Sequence, residues 1–140
     1  MNGERKRDTK IKCVALVTFL GMLMILMSGC TNTKNKVDWE GENNPGKITY
    51  SYSRFTGIEM GTIQGKSGET LSLTYDAKVK RGKLMLRVMG PDESVLWDLV
   101  LKKDAGETVE LTLGEDGEYP LIIRGENTSG EFEVFWKVEP

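Results

Sequence analysis

The sequence predicts an all-β domain over residues 48–140, an antiparallel, jelly-roll-like β-sandwich of about eight short strands. Three observations carry this. From Ile48 onward apolar residues recur at every second position rather than every 3.6. Clusters of Gly, Pro, Asn and Asp separate the alternating runs. After residue 30 no window carries the apolar stripe of an amphipathic helix.

Each strand is read from its alternation. Ile48, Tyr50 and Tyr52 alternate with Thr49, Ser51 and Ser53. Ile58, Met60 and Thr62 alternate within the glycine-punctuated stretch from Gly57 to Gly65. Leu71, Leu73, Tyr75, Ala77 and Val79 alternate with five polar residues, the clearest half-buried strand of the chain. Leu84, Leu86 and Val88 repeat the pattern, as do Val95, Trp97, Leu99 and Leu101. Val109, Leu111 and Leu113 come next, then Tyr119, Leu121 and Ile123. Phe132, Val134, Trp136 and Val138 close the domain. Turns are expected at Gly65–Gly68, Arg81-Gly82, Gly90-Pro91-Asp92, Asp104–Gly106, Gly114–Gly117 and Gly125–Gly130. Pro120 lacks a backbone donor, so its strand is expected at an edge or bulged.

The first third of the chain is organised differently. Val14 to Met27 reads VALVTFLGMLMILM without a charge, behind Arg5, Lys6, Arg7, Lys10 and Lys12. A helix of that length spans about 21 Å, short of a hydrocarbon core of roughly 30 Å. A basic head, a short apolar middle and small residues behind it make a secretory signal over residues 1–29. Met27-Ser28-Gly29-Cys30 resembles the lipobox of bacterial lipoproteins, with Met27 where Leu is usual. That resemblance implies cleavage between Gly29 and Cys30 and a covalent diacylglycerol and fatty acyl group on Cys30. The charge order places the residues after Cys30 outside the cytoplasm, held at the cell membrane.

Residues 30–47 are then the lipidated Cys and a flexible tether: polar, with Asn, Gly and Pro and no apolar period. Trp39 is its exception, expected either on the domain edge or at the membrane interface.

Charge and composition exclude several functions. The chain of 140 residues has a net charge of −2, but residues 1–29 carry +3 and the remaining 111 carry −5. So acidic a domain is a poor partner for nucleic acid, whose binding rests on phosphate neutralisation. Histidine is absent, which removes Ser-His-Asp and Cys-His catalysis. Cys13 leaves with the signal and Cys30 carries lipid, so no disulfide forms in the mature chain.

Residues 68–98 contain GETLSLTYDAKVKRGKLMLRVMGPDESVLWD, and ETVELTLGEDGEYPLIIRGENTSGEFEVFW comes after it at 107–136. A strand opening on Gly-Glu, an L-x-L-x-V strand into a Pro-Asp turn and closing Gly-x-Tyr and Gly-x-aromatic strands resemble the bacterial pre-peptidase C-terminal domain. The likeness covers about Gly57 to Val138. It implies a non-catalytic β-sandwich module. Some members bind calcium through acidic residues just before the L-x-L strand, where this chain has Lys80-Arg81-Gly82-Lys83.

Three groups are candidate site residues. Asp92, Glu93, Glu115, Asp116 and Glu118 are the best oxygen donors for a metal, although their spacing matches no defined loop and suits solvated hairpin tips better. Lys78, Lys80, Arg81, Lys83 and Arg87 form a basic patch, for an anionic polymer or as edge guards. Met85, Met89, Leu96, Val100, Ile122 and Phe135 fall out of phase with the core, so either loops or the tether cover them or they form a partner surface. Trp97, Phe132 and Trp136 are in phase and expected in the core. The resulting expectation is a non-enzymatic, lipid-anchored accessory module of the cell envelope that binds a protein or wall polymer. The alternative is a lipoprotein that binds a small molecule, glycan or metal with loops at one end.

Overall fold

The computed structural model describes residues 35–140, which form seven strands and no helix. These are β1 (Asn35–Val37), β2 (Glu40–Asn44), β3 (Lys47–Gly65), β4 (Thr70–Met89), β5 (Val95–Leu101), β6 (Ala105–Thr112) and β7 (Gly117–Glu139). Gly29, Cys30 and the apolar run before them lie outside the described residues. Every pairing is antiparallel.

Three strands are unusually long, with 19, 20 and 23 residues in β3, β4 and β7. Each crosses the whole domain and belongs to two layers. In the first layer, the strand order is β2, the first half of β3, the second half of β7, the first half of β4, and β6. In the second, it is the second half of β3, the first half of β7, the second half of β4, and β5. β1 runs beside Arg54–Thr56, where β3 bends.

The bend is a shared crease. Register shifts fall at 52–57 in β3 and at 79–83 in β4, opposite 125–130 of β7. At the crease each long strand changes the parity of its buried residues. In β4 the inward set runs Leu71, Leu73, Tyr75, Ala77, Val79, then Leu84, Leu86, Val88. In β7 it runs Tyr119, Leu121, Ile123, then Thr128, Phe132, Val134. An extra residue at a bulge reverses the parity while keeping the chain's inner side inward. Among the described residues no helix covers either half, and the inner side of one layer is buried by the other. The result is a β-sandwich with a single core cluster drawing on both layers.

Four expectations need correction. The glycine clusters at Arg81-Gly82 and Gly125–Gly130 are creases rather than reversals, and β3 likewise continues through residues 53–57, so six of the eight expected runs join in pairs within β3, β4 and β7. Gly82, with φ 67, would place a Cβ 2.3 Å from Asn127 O, so only a glycine lets β4 turn there. Residues 35–37 and 40–44, expected within the flexible tether, instead pair with β3. Their side chains are exposed; backbone pairing places them on the edge, joined by Lys36 with Glu59 and by Asn43 Nδ2 donating to Met60 O at 2.9 Å. In 57–65 the inward set is Gly61 and Ile63; Ile58 and Met60 face out, 45% and 55% exposed. Pro120 lies in β7, which is central, opposite Thr62 of β3. The ladder with β4 ends at Val88 and Leu121, one residue short of Pro120, so the missing donor interrupts no rung on that side.

Trp39 packs on the domain edge. Its ring lies 4.2 Å from Tyr50, 4.7 Å from Phe55 and 5.5 Å from Tyr52, and Phe132 closes the group. Lys36 Nζ stands 4.2 Å above the Trp39 ring and pairs with Glu59. The aromatic cluster thereby seals the side of the core that β1 and β2 border. Trp97 and Trp136 are half-buried against the core and Phe132 is fully inside, as their phase predicts.

Candidate functional site

The expected site residues are distributed over four places. Asp92, Glu93, Glu115, Asp116 and Glu118 do gather at one end of the sandwich, where Gly117 touches Pro91. There Asp92, Asp116 and Glu118 each accept a hydrogen bond from a neighbouring group. Asp116 Oδ1 accepts from Ser67 N–H at 2.8 Å, and Asp92 Oδ1 accepts from the Ser94 hydroxyl at 2.6 Å. The Ser94 bonds hold the Asp92 carboxyl below its ordinary range. Glu118 accepts from Gln64 Nε2 at 2.8 Å. Among the described residues no three Cys, Asp or Glu side chains gather as a metal would need. Asp92, Asp116 and Glu118 thus satisfy neighbouring backbone and side-chain donors.

Lys80, Arg81 and Lys83 sit at the crease, Met85 and Met89 on the outer face of the second layer, and Phe135 on the outer face of the first. They form no single surface. Lys83 pairs with Glu126 at 2.7 Å, which holds the Glu126 carboxyl below its usual range. Lys47 Nζ lies 5.1 Å from the Phe135 ring, which is 39% exposed.

Two other surfaces emerge. The first is a polar trough of about 510 Å³ on the outer face of the first layer, beside the crease. Its walls carry Asp38, Glu40, Ser51, Ser53, Lys78, Lys80, Ser129 and Glu131. Register explains the grouping: Glu40 lies opposite Ser51, Ser51 opposite Glu131, and Glu131 opposite Lys78. Lys78 Nζ donates to Glu131 Oε1 at 2.6 Å, a bond that raises the lysine pKa. A second hollow of about 310 Å³ continues the trough past Thr49, Asp76 and Glu133, sharing Glu40, Ser51 and Glu131 with it. The trough thus offers hydroxyls, ammonium groups and carboxylates along one open channel. Sequence alternation marks each of these residues only as outward-facing. Their convergence depends on β2, which no apolar period announces.

The second surface is the outer face of the second layer, where most of the out-of-phase apolar residues meet. Across the strands one row reads Ile58, Arg124, Met85, Val100, and the next reads Met60, Ile122, Arg87, Asp98. Val100 and Val95 are 49% and 50% exposed. Leu96 sits at the bulge in β5 and packs against the core instead.

Under the trough, at the crease, the hydroxyls of Tyr52 and Thr128 are buried without a hydrogen-bond partner. Burial pushes the Tyr52 hydroxyl up to about 12, and the Thr128 hydroxyl beside it opposes the shift.

No protein-family model and no curated protein matches the chain. Several solved structures superpose on it in part. One, described as "CBM4 structure and function", superposes with a TM-score of 0.47 at 12% identity, covering 76% of this chain and 80% of that one. A carbohydrate-binding module from Cellvibrio mixtus lichenase 5A, in complex with cellotriose, gives 0.44 at 12% identity, covering 78% and 90%. The Glycosylation Associate Protein (Gap123) complex from Streptococcus agalactiae gives 0.41 at 11% identity; the match covers 80% of this chain and 43% of that one. These likenesses are of backbone alone and assign this chain no ligand.

Proposed function

We propose that the chain is a lipid-anchored, extracytoplasmic accessory module of a bacterial envelope, non-enzymatic, that binds a hydroxyl-rich wall polymer along the first layer. Cys30 is its lipid attachment, on the lipobox-like Met27-Ser28-Gly29-Cys30. The observation that carries the reading is the continuous polar trough of about 510 Å³ and its extension of about 310 Å³. A channel open along its length accommodates an extended chain rather than a compact small molecule. Ser51, Ser53 and Ser129 supply neutral hydrogen-bonding groups, and Lys78 and Lys80 supply cations for phosphate or carboxylate substituents. The alternative centred on loop-end carboxylates has less support, because Asp92, Asp116 and Glu118 already accept hydrogen bonds from neighbouring groups.

Co-sedimentation of the purified protein with isolated cell-wall sacculi tests the reading. The unaltered protein is expected to pellet with intact sacculi, and Lys78→Glu with Lys80→Glu to lower the bound fraction about tenfold. Equal pelleting of the double variant, or no pelleting of the unaltered protein, would overturn the trough as the recognition surface.

A further inference from the structure

We infer that the outer face of the second layer lies against the lipid bilayer in which Cys30 is anchored. This rests on the proposed lipidation of Cys30 and adds to it an orientation. Two independent observations lead there.

The first is the path of the chain. Asn35 lies opposite Thr56, and β1 runs antiparallel to β3. Read backward from Val37 to Asn35, β1 therefore points along the edge toward Ile58 and Met60. Cys30 is five residues before Asn35. At about 3.5 Å per residue a fully extended chain spans at most about 17 Å. A tether of seventeen residues would let the domain tumble freely, but the pairing of 35–44 with β3 leaves only residues 31–34 between lipid and fold. The edge carrying Ile58 and Met60 is thus held within a few residues' reach of the headgroups.

The second is the surface to which that edge leads. Ile58, Met60, Met85, Ile122 and Val100 occupy two adjacent cross-strand rows and face outward. An apolar sheet face of this kind, contiguous rather than scattered, marks an interaction site. Its charged members are Arg124, Arg87 and Asp98, with Arg87 Nη2 donating to Asp98 Oδ2 at 3.2 Å. Two arginines among apolar side chains suit the boundary between acyl chains and phosphates, where guanidinium groups bind phosphate and the aliphatic stems stay in the apolar zone. The opposite outer face is polar where the trough crosses it, with Ser51, Ser53, Lys78, Glu40 and Glu131 in place of apolar rows. With the apolar face down, the trough points away from the membrane.

The test uses full-length, acylated protein reconstituted into liposomes of phosphatidylethanolamine and phosphatidylglycerol. Single cysteines are introduced as Met60→Cys or Val100→Cys on the apolar face, and as Thr74→Cys on the opposite face. With Cys30 acylated, the mature chain has no other thiol. Each is reacted with a membrane-impermeant maleimide, in liposomes and after detergent solubilisation. Met60→Cys and Val100→Cys are expected to react at least tenfold more slowly in liposomes than in detergent, with Thr74→Cys changed less than twofold. Equal rates in both media, with the protein still in the liposome fraction, would overturn the orientation while leaving the anchor standing. Protection that survives detergent would identify a second copy or another protein on this face and overturn lipid as its occupant. Failure of the protein to remain with liposomes would overturn the anchor, and the orientation with it.

Discussion

The ring of Phe55 lies over Gly125, so closely that a Cβ on that glycine would stand 2.3 Å from Phe55 Cδ1. Phe55 is fully buried where β3 bends, and Gly125 is where β7 enters its own bend. Gly125→Ala is therefore expected to cost about 1–3 kcal/mol, the range for overpacking a filled core. Urea unfolding measures it, and adding Phe55→Leu should recover part of the loss. Gly130→Ala should cost more, because its Cβ would meet backbone, Lys78 O at 1.8 Å, at φ 140.

The edge strands make a second expectation. Trp39→Ala opens one side of the aromatic cluster of Tyr50, Tyr52, Phe55 and Phe132. Since Trp39 is only half-buried, a loss of about 1–3 kcal/mol is expected, below the roughly 3–5 of a fully buried Trp. A fragment of residues 47–140 lacks β1 and β2 and bares the edge of β3. It should be less stable than residues 33–140 and should self-associate, visible by light scattering.

Alkaline pH should destabilise the fold through Tyr52. Its hydroxyl is raised from 10.0 to about 12 in the folded chain by burial. The folded state thus holds this proton more tightly than the unfolded one. The stabilisation is complete below pH 10 and is lost as pH rises from 10 toward 12. Tyr75 adds in the same sense, raised by burial and then by Glu107. Tyr52→Phe should flatten this alkaline fall in part, measured by unfolding from pH 8 to about 11.5. Tyr52→Phe with Thr128→Val should be neutral or stabilising at pH 7, since both hydroxyls are buried without partners.

Cys30→Ser should move the protein from the membrane to the soluble extracytoplasmic fraction and abolish incorporation of a fatty-acid analogue. Two acyl chains bury far more CH₂ groups, at about 0.8 kcal/mol each, than any single surface residue contributes. Undiminished membrane association would refute Cys30 as the anchor.

The layers are legible in the sequence wherever the inward residues carry large side chains. Leu71 to Val79 and Leu84 to Val88 announce both their strands and the parity change between them. The joining of such runs is not legible, because glycine at a crease and glycine at a reversal look alike locally. Residues 57–65 mislead for a related reason. Their inward positions include Gly61, whose missing side chain leaves space for Ile48 Cδ1 and Trp136 Cη2, each 3.0 Å from where its Cβ would be. Ile58 and Met60 then supply the visible period, though they face out. Nor does β2 have a signal: an edge strand exposed on every residue is selected by backbone pairing, which composition does not record. The trough inherits that silence through Asp38 and Glu40, whereas the apolar face is legible as a set of misfits and needs only the register to assemble it.

β7 occupies the middle of both layers, flanked by β3 and β4 along its length, and comes after both of them in the chain. Its partners are synthesised tens of residues earlier, so neither half of the body has a keel until these 23 residues arrive. Wiring of this kind folds slowly. For a polypeptide threaded through a translocon before it compacts, as proposed for this one, the delay is useful: the lock is made after the parts it holds.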